Sequence, residues 1–157
     1  MSPRFSTVEA MNNLNNRLEA LTPTVLSLVR IVFGFLFTLF GTSNLFDWPI
    51  VMGVPTGSWP GWYAGLIEFV GGLLIMTGLF TRIAAFLCSG AMAVAYFWQH
   101  QPLALWPIVD PQYGGNGGLP SIAFCFVFFL LVFTGGGRYS LDAWRSRTPP
   151  AIEINGP

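Results

Sequence analysis

Four long apolar runs, separated by polar or aromatic connections, dominate the hydrophobic pattern of this chain. They cover approximately residues 24–46, 61–80, 83–99 and 119–135. About twenty residues in an α-helix rise through the roughly 30 Å of a bilayer's hydrocarbon core. The pattern therefore predicts an all-α membrane protein in which residues 23–137 form a bundle of four transmembrane helices.

Residues 1–22 have a different pattern, with a narrow apolar stripe on an otherwise polar surface. They lack the apolar core of a signal peptide, and Ser6 and Glu9 have the spacing of a helix-capping box. The stripe favours a short amphipathic helix that lies on the cytoplasmic membrane surface, separated from the first run by Pro23. A helix packed against a partner protein is the alternative. The stripe consists of Val8, Met11, Leu14, Leu18 and Leu21.

Glu68 is the one carboxylate of the second apolar run. A carboxylate at this depth is costly unless it faces protein or water. One interpretation is a pocket for a quinone headgroup, or a proton-accepting site, with Glu68 as the acceptor. The other is a buried acid whose hydrogen bonds fix helix packing. The polar side chains that could reach its level are Ser43, Asn44, Tyr96, Gln99, His100 and Asn116.

The composition indicates that lipid is the solvent for most of the surface. Hydrophobic residues make up 53% of the chain and charged residues 9%, with a mean hydropathy of +0.58. Soluble domains carry about 25% charged residues, and a chain this short cannot bury so much apolar surface in one aqueous core. Zero net charge and scattered basic residues argue against a nucleic-acid partner.

The seven basic residues are all arginines, and their positions predict the topology. Arg30 begins the first run, Arg82 lies between the second and third, and Arg138 follows the fourth. The two remaining connections contain no arginine, so the positive-inside rule places both termini, the Arg82 turn and the tail 138–157 in the cytoplasm. Arg30 can either snorkel to the headgroups or point into the bundle.

No sequence feature predicts a metal centre or covalent catalysis. His100 is the only histidine, and no further ligands stand at a recognisable metal-binding spacing. No nucleophile motif accompanies it. We therefore expect His100 to be an interfacial residue unless it belongs to the Glu68 pocket.

Five short segments, in this order and spacing, resemble those of the DoxX family of small four-helix membrane proteins. They are Arg30-Ile-Val-Phe-Gly-Phe-Leu-Phe37, Gly65-Leu-Ile-Glu68 with Gly71-Gly72, Gly78-Leu-Phe-Thr-Arg-Ile-Ala-Ala85, Asn116-Gly-Gly118 and Gly137-Arg-Tyr-Ser-Leu-Asp142. The resemblance implies a four-helix bundle in the plasma membrane. It also implies an association with redox chemistry, because family members are often labelled oxidoreductases or serve as quinone-linked membrane subunits.

Three positions depart from the family pattern, which often has His-Gly-x-x-Lys near the end of the first helix and Asn-Gly-Gly-Glu before the fourth. Phe40, Asn44 and Leu119 stand where the resemblance would place His, Lys and Glu. Any activity that needs those groups is in doubt, so we do not expect the chain to be an enzyme on its own.

These observations favour a non-catalytic membrane subunit or partner of a redox or respiratory system, with quinone as the one cofactor that would suit it. A purely structural accessory subunit of a larger membrane complex is the alternative. A small transporter or lipid-handling protein ranks last, because the pattern contains no pair of broken helices. The expected partners are the lipid bilayer and other membrane proteins.

Overall fold

The computed structural model describes residues 3–109 and 114–147, with side chains from Thr7 onward. In these segments every regular element is a helix. The helices are α1 (Pro3–Phe46), α2 (Gly61–Thr77), α3 (Thr81–Ala95), α4 (Leu119–Thr134) and α5 (Leu141–Arg145), and α3 continues as a π-helical turn, Tyr96–His100.

The four long helices run alternately up and down. At one end, here called the arginine end, α1 enters the bundle near Arg30, α2 leads into α3, and α4 leads into α5. At the other, the tryptophan end, α1 leads into α2 and α3 leads into α4. The aromatic residues in or beside these connections are Trp48, Trp59, Trp62, Trp98 and Trp106.

Two helical stretches, Thr7–Phe46 and Thr81–His100, are long and apolar enough to cross a membrane by length and composition. Gly61–Thr77 and Leu119–Thr134 are apolar but shorter. The described residues thus agree with an all-helical chain carrying candidate membrane spans. That all four helices cross the bilayer remains a prediction.

The predicted break at Pro23 is wrong, because α1 runs without interruption from Pro3 to Phe46. Proline removes one backbone donor, and nearby Ser and Thr hydroxyls can supply side-chain hydrogen bonds that help a membrane helix continue. Here Thr22 Oγ1 donates to the Leu18 carbonyl at 3.1 Å, and Ser27 Oγ donates to the Pro23 carbonyl at 2.9 Å. The helix therefore starts before the predicted capping box, and residues 7–22 extend the first helix as a rod.

Glycines let α1 and α2 approach each other closely. Gly34 and Gly41 face α2, while Gly65 and Gly72 face α1. A Cβ built on Gly41 would lie 2.6 Å from the Phe69 Cα, so no larger residue fits without a shift. The prediction that Gly34 and Gly41 are close-packing points is confirmed.

Aromatic rings fill the centre of the bundle. Phe37 of α1 packs against Phe124 and Phe128 of α4, with ring centroids 5.1 and 4.9 Å apart. Phe37 and Phe128 are fully buried. Ser89 of α3 donates to the Cys125 carbonyl of α4 at 2.9 Å, which ties the remaining pair of helices together.

Arg30 points into the bundle and is 1% exposed, so the snorkelling alternative is wrong. Its Nε donates to Gly136 O at 2.8 Å, its Nη2 to Tyr139 O at 2.8 Å, and its Nη1 to Ile75 O at 2.7 Å and to Met76 O. Carbonyls at a helix C-terminus lack intrahelical partners, and a cation there also complements the helix dipole. Arg30 thus joins α1 to the end of α2 and to the segment after α4.

The first part of the predicted tail folds back on the arginine end. Asp142 accepts hydrogen bonds from Phe80 N at 2.9 Å, and from Thr81 N and Thr81 Oγ1 at 2.8 Å each. The Asp142 carboxylate therefore caps the start of α3 from a different part of the chain. Residues 148–157 of the predicted tail lie outside the described residues.

The other two predicted topology residues also lie at the arginine end. Arg82 Nη1 donates to Val132 O at 2.8 Å and its side chain is exposed. The Arg138 guanidinium lies 6.0 Å from the centre of the Tyr139 ring.

Candidate functional site

The carboxylate of Glu68 is held by a side chain of α1. Asn44 Nδ2 donates to Glu68 Oε2 at 2.8 Å, and Glu68 is 9% exposed. The contact depends on the glycine-packed interface, because a Cβ built on Gly65 would lie 2.7 Å from the Asn44 Cβ. Close backbone approach therefore brings the amide within reach of the carboxylate.

Glu68 lines a cavity of about 350 Å³ between all four long helices, here called the central cavity. The other polar side chains of its lining are Asn44, Gln99, His100 and Ser121, and its aromatic rings are Phe37, Phe40 and Phe124. A mostly apolar space with a few convergent polar groups is typical of small-molecule sites.

Ser121 brings a hydrogen-bonding group that is not engaged elsewhere. It is 8% exposed, and its hydroxyl donates to none of the residues that the structure describes. It lines the same cavity as Glu68. A ligand there would find one hydroxyl donor on α4 and one carboxyl group on α2.

A second space, of about 250 Å³, lies between α2 and α3 and is here called the α2–α3 cleft. Tyr63 and Ile67 line it from α2, Val94 from α3 and Trp98 from the π-helical turn. Glu68 lines this cleft as well as the central cavity. The carboxyl group therefore belongs to the partition between the two spaces.

Aromatic rings frame the α2–α3 cleft at the tryptophan end. The centre of the Trp59 ring lies 6.0 Å from that of Trp98 and 5.8 Å from that of Tyr63. These rings give the cleft flat apolar walls at the tryptophan end.

The predicted site residues divide into two groups. Asn44, Gln99 and His100 line the central cavity together with Glu68. Tyr96 and Asn116 line neither space, because Tyr96 packs edge-to-face on Phe97 at 5.3 Å and Asn116 is engaged by the loop.

Asn116 organises the connection before α4. It is 5% exposed, its Nδ2 donates to Ala104 O at 2.8 Å, and its Oδ1 accepts from Gly118 N at 2.7 Å. Its carbonyl lies 2.9 Å from His100 Nδ1, and because a carbonyl can only accept, Nδ1 carries the proton in this contact. Asn116 thus orients His100 and is absent from the cavity lining itself.

Sequence reasoning missed Ser121 and Met92, both of which line the central cavity. Ser121 stands in the first turn of an apolar helix, so its polarity was the signal available. Met92 carries no such signal. Two of the three family departures, Phe40 and Asn44, line the cavity, whereas Leu119 is half exposed and does not.

No group of three His, Cys, Asp or Glu side chains that could hold a metal ion occurs within residues 3–109 and 114–147. The lining around Glu68 offers a carboxyl, an imidazole, a hydroxyl and the carboxamides of Asn44 and Gln99 for hydrogen bonding.

Comparison with known proteins supports the resemblance found in the sequence. The DoxX family pattern matches residues 25–101, which include Asn44, Glu68 and His100. A relative from Haemophilus influenzae, described as an uncharacterized protein, is 38% identical over 133 residues, which cover 81% of this chain and 95% of the relative. No solved structure matches the chain.

Proposed function

The chain belongs to the DoxX family, and from this premise we propose that it is a multi-pass protein of the plasma membrane that serves a quinone-linked redox system as a non-catalytic subunit. The observation that carries the proposal is the central cavity, where the Glu68 carboxyl and the Ser121 hydroxyl stand in otherwise apolar surroundings.

The proposed topology follows from the alternating helices. If α1 and α3 cross the membrane, α2 must cross in the reverse direction, because it joins the tryptophan end of α1 to the arginine end of α3. Arg30, Arg82 and Arg138 lie at one end of the bundle, and five of the six tryptophans lie at the other, the exception being Trp144 in α5. The positive-inside rule then favours cytoplasmic N- and C-termini.

The residues of the central cavity suit a quinone headgroup. A bound quinone would carry electrons and protons between partners within the membrane. Its carbonyl oxygens need hydrogen-bond donors, which Ser121 Oγ can supply, and the hydroxyls of the reduced form need an acceptor, which the Glu68 carboxyl can supply. Phe37, Phe40 and Phe124 would surround the ring with apolar contacts.

The binding test uses the full chain in lipid nanodiscs. A short-tailed ubiquinone analogue, oxidised or reduced, is titrated while tryptophan fluorescence is followed, because Trp59 and Trp98 stand beside Glu68. We expect saturable quenching, weakened about tenfold by Glu68→Leu or Ser121→Ala, as the loss of one buried hydrogen bond predicts.

Two exposed polar residues serve as controls for those variants. Glu19→Gln on α1 and Thr134→Ala on α4 lie outside the cavity and are expected to bind as the wild type does. Quenching that does not saturate, or that is the same in Glu68→Leu, would overturn the proposal.

A second candidate, a structural accessory subunit, is supported by the first half of α1. Because α1 is continuous, the predicted apolar stripe projects from the arginine end instead of lying flat. Each member of the stripe is more than half exposed: Val8, Met11, Leu14, Leu18 and Leu21. Such a face suits a helix of another membrane subunit.

Crosslinking in native membranes tests this second candidate. A photoreactive residue at Leu14 or Leu18 is expected to capture a discrete protein, whereas the same residue at Asn15, off the stripe, is not. A chain that remains monomeric in native membranes would contradict the accessory role.

A further inference from the structure

The α2–α3 cleft opens on the outer surface of the bundle, where a membrane helix meets lipid. Ile67, Val94 and Trp98 line the cleft and are 44%, 56% and 58% exposed. Its lining is almost entirely apolar until it reaches Glu68. A chain of methylene groups would therefore fit there without leaving a polar group unpaired.

The partition between the cleft and the central cavity is thin. Both spaces are lined by Ala64, Glu68, Met92, Ala95 and Gln99. Ala64 and Ala95 present single methyl groups, and Met92 is an unbranched thioether that repacks readily. Small movements of Met92, Glu68 and Gln99 would therefore join the two spaces.

Hydrogen bonds hold the described parts of both connections at the tryptophan end. Met52 and Gly117 line the central cavity on that side. Asp47 Oδ1 accepts from Met52 N and Gly53 N at 2.8 Å each, and Asn116 ties the second connection to Ala104 and Gly118. Entry past Met52 or Gly117 would disturb these hydrogen bonds, whereas Glu68 already lines the cleft.

We propose that the ligand is a membrane-dissolved molecule with a flat, hydrogen-bonding ring and an apolar tail, and that it enters sideways from the bilayer through the α2–α3 cleft. The ring passes beside the paired rings of Trp59 and Trp98, whose centres lie 6.0 Å apart, and reaches Glu68 and Ser121, while the tail stays between α2 and α3. The identification of the ring as a quinone rests on the proposed function. The access route rests on the two spaces that share Glu68.

The route is tested with a ubiquinone analogue whose tail ends in a photoactivatable diazirine. The full chain in lipid nanodiscs is illuminated with this probe, and the labelled residues are mapped by mass spectrometry. We expect labelling at Ile67 and Val94 that an excess of tailless analogue displaces. A tail that points toward the loops would instead label Met52 or Gly117, which would overturn the lateral route and leave the proposed function intact.

A pair of matched variants checks that the cleft itself is the path. Ala95→Phe fills the partition and is expected to reduce the displaceable labelling severalfold. Ala123→Phe makes the same change on the exposed face of α4, outside both spaces, and is expected to leave it unchanged. Unaltered labelling in Ala95→Phe, with an unchanged size-exclusion profile, would overturn the route.

The labelling experiment also separates failure of the route from failure of the proposed function. If no part of the chain shows labelling that the tailless analogue displaces, no quinone-type ring binds, and the proposed function falls together with the route. If displaceable labelling occurs away from the cleft, the route alone is wrong.

Discussion

Asn44 donates a hydrogen bond to Glu68 across the α1–α2 interface, at an Nδ2 to Oε2 distance of 2.8 Å. The amide occupies the position where the family pattern often has lysine, so a neutral donor faces the carboxyl group in place of a cation. The Asn44 amide forms a hydrogen bond but no ion pair with the carboxyl group. The cavity of this chain therefore differs in its electrostatics from one built on the usual family residues.

The Asn44–Glu68 contact is expected to be energetically coupled. Asn44→Ala and Glu68→Ala should each destabilise the bundle, because each leaves the other polar group without this partner at a nearly buried site, at about 1–3 kcal/mol. The double variant should lose less than the sum. The test is a double-mutant cycle on unfolding in mixed detergent micelles, and strictly additive losses would contradict the coupling.

Arg30→Lys is expected to destabilise the protein by about 3 kcal/mol, because an ammonium group cannot reproduce the planar fork that reaches four carbonyls. Arg82→Lys is the matched control, since Arg82 is exposed and its guanidinium donates to Val132 O. Thermal unfolding in detergent measures the stability of both variants. Equal losses of stability would show that the buried hydrogen bonds of Arg30 stabilise the protein no more than the hydrogen bond of the exposed Arg82 does.

Asp142 predicts a loss of stability in acid. Burial alone would raise the pKa of Asp142, but the hydrogen bonds from Thr81 and Phe80 and the nearby Arg145 lower it overall below 3.8. At pH values between the folded-state pKa of Asp142 and its ordinary pKa of 3.8, the folded state therefore binds fewer protons than the unfolded chain. The stabilisation by the carboxylate is present above pH 3.8 and is lost as the pH falls through the folded-state value.

Comparison with Asp142→Ala isolates this effect. The wild type is expected to unfold at a higher temperature than the variant at roughly pH 5.5, and the gap should narrow at about pH 2.5. The same difference in unfolding temperature at both pH values would mean that ionisation of Asp142 contributes nothing to stability.

The glycine interface predicts opposite outcomes for two identical changes. Gly41→Ala should cost about 1–3 kcal/mol of unfolding free energy, because its new methyl group meets the backbone of Phe69. Gly90→Ala on α3 meets nothing within 4 Å and should be neutral or stabilising by up to about 1 kcal/mol. Denaturant titrations of both variants measure the change in unfolding free energy. A Gly41→Ala protein as stable as the wild type would contradict the close approach of α1 and α2.

Helix positions could be predicted well from the hydrophobic runs, because apolar length is written directly in the sequence. The first helix begins at Pro3, far before the predicted start near residue 24, but the other predicted ends differ from the observed helix ends by a few residues at most. The second run was predicted to reach Phe80, but the helix ends at Thr77 because Gly78 adopts a left-handed conformation with φ of 73°. Glycine favours that conformation, which closes the helix.

The site could be predicted only in part. Counting residues along the helices predicted that Asn44 and His100 lie near Glu68. It could not show that the Asn116 side chain hydrogen-bonds to the backbone of the loop, to Ala104 O and Gly118 N. The hydrogen-bond partners of Arg30 could not be predicted either, because all four are backbone carbonyls, which every residue type carries. Membrane crossing by all four helices and the orientation of the termini stay predictions.

The Arg30 guanidinium reaches a carbonyl that is synthesised 106 residues later in the chain. The two acceptors in α2, Ile75 O and Met76 O, are made before α3 and α4, whereas Gly136 O and Tyr139 O come only after the last long helix. The full set of Arg30 hydrogen bonds therefore forms only when the chain is almost complete. A chain truncated before Gly136 would keep the buried cation but lose two of its four carbonyl partners.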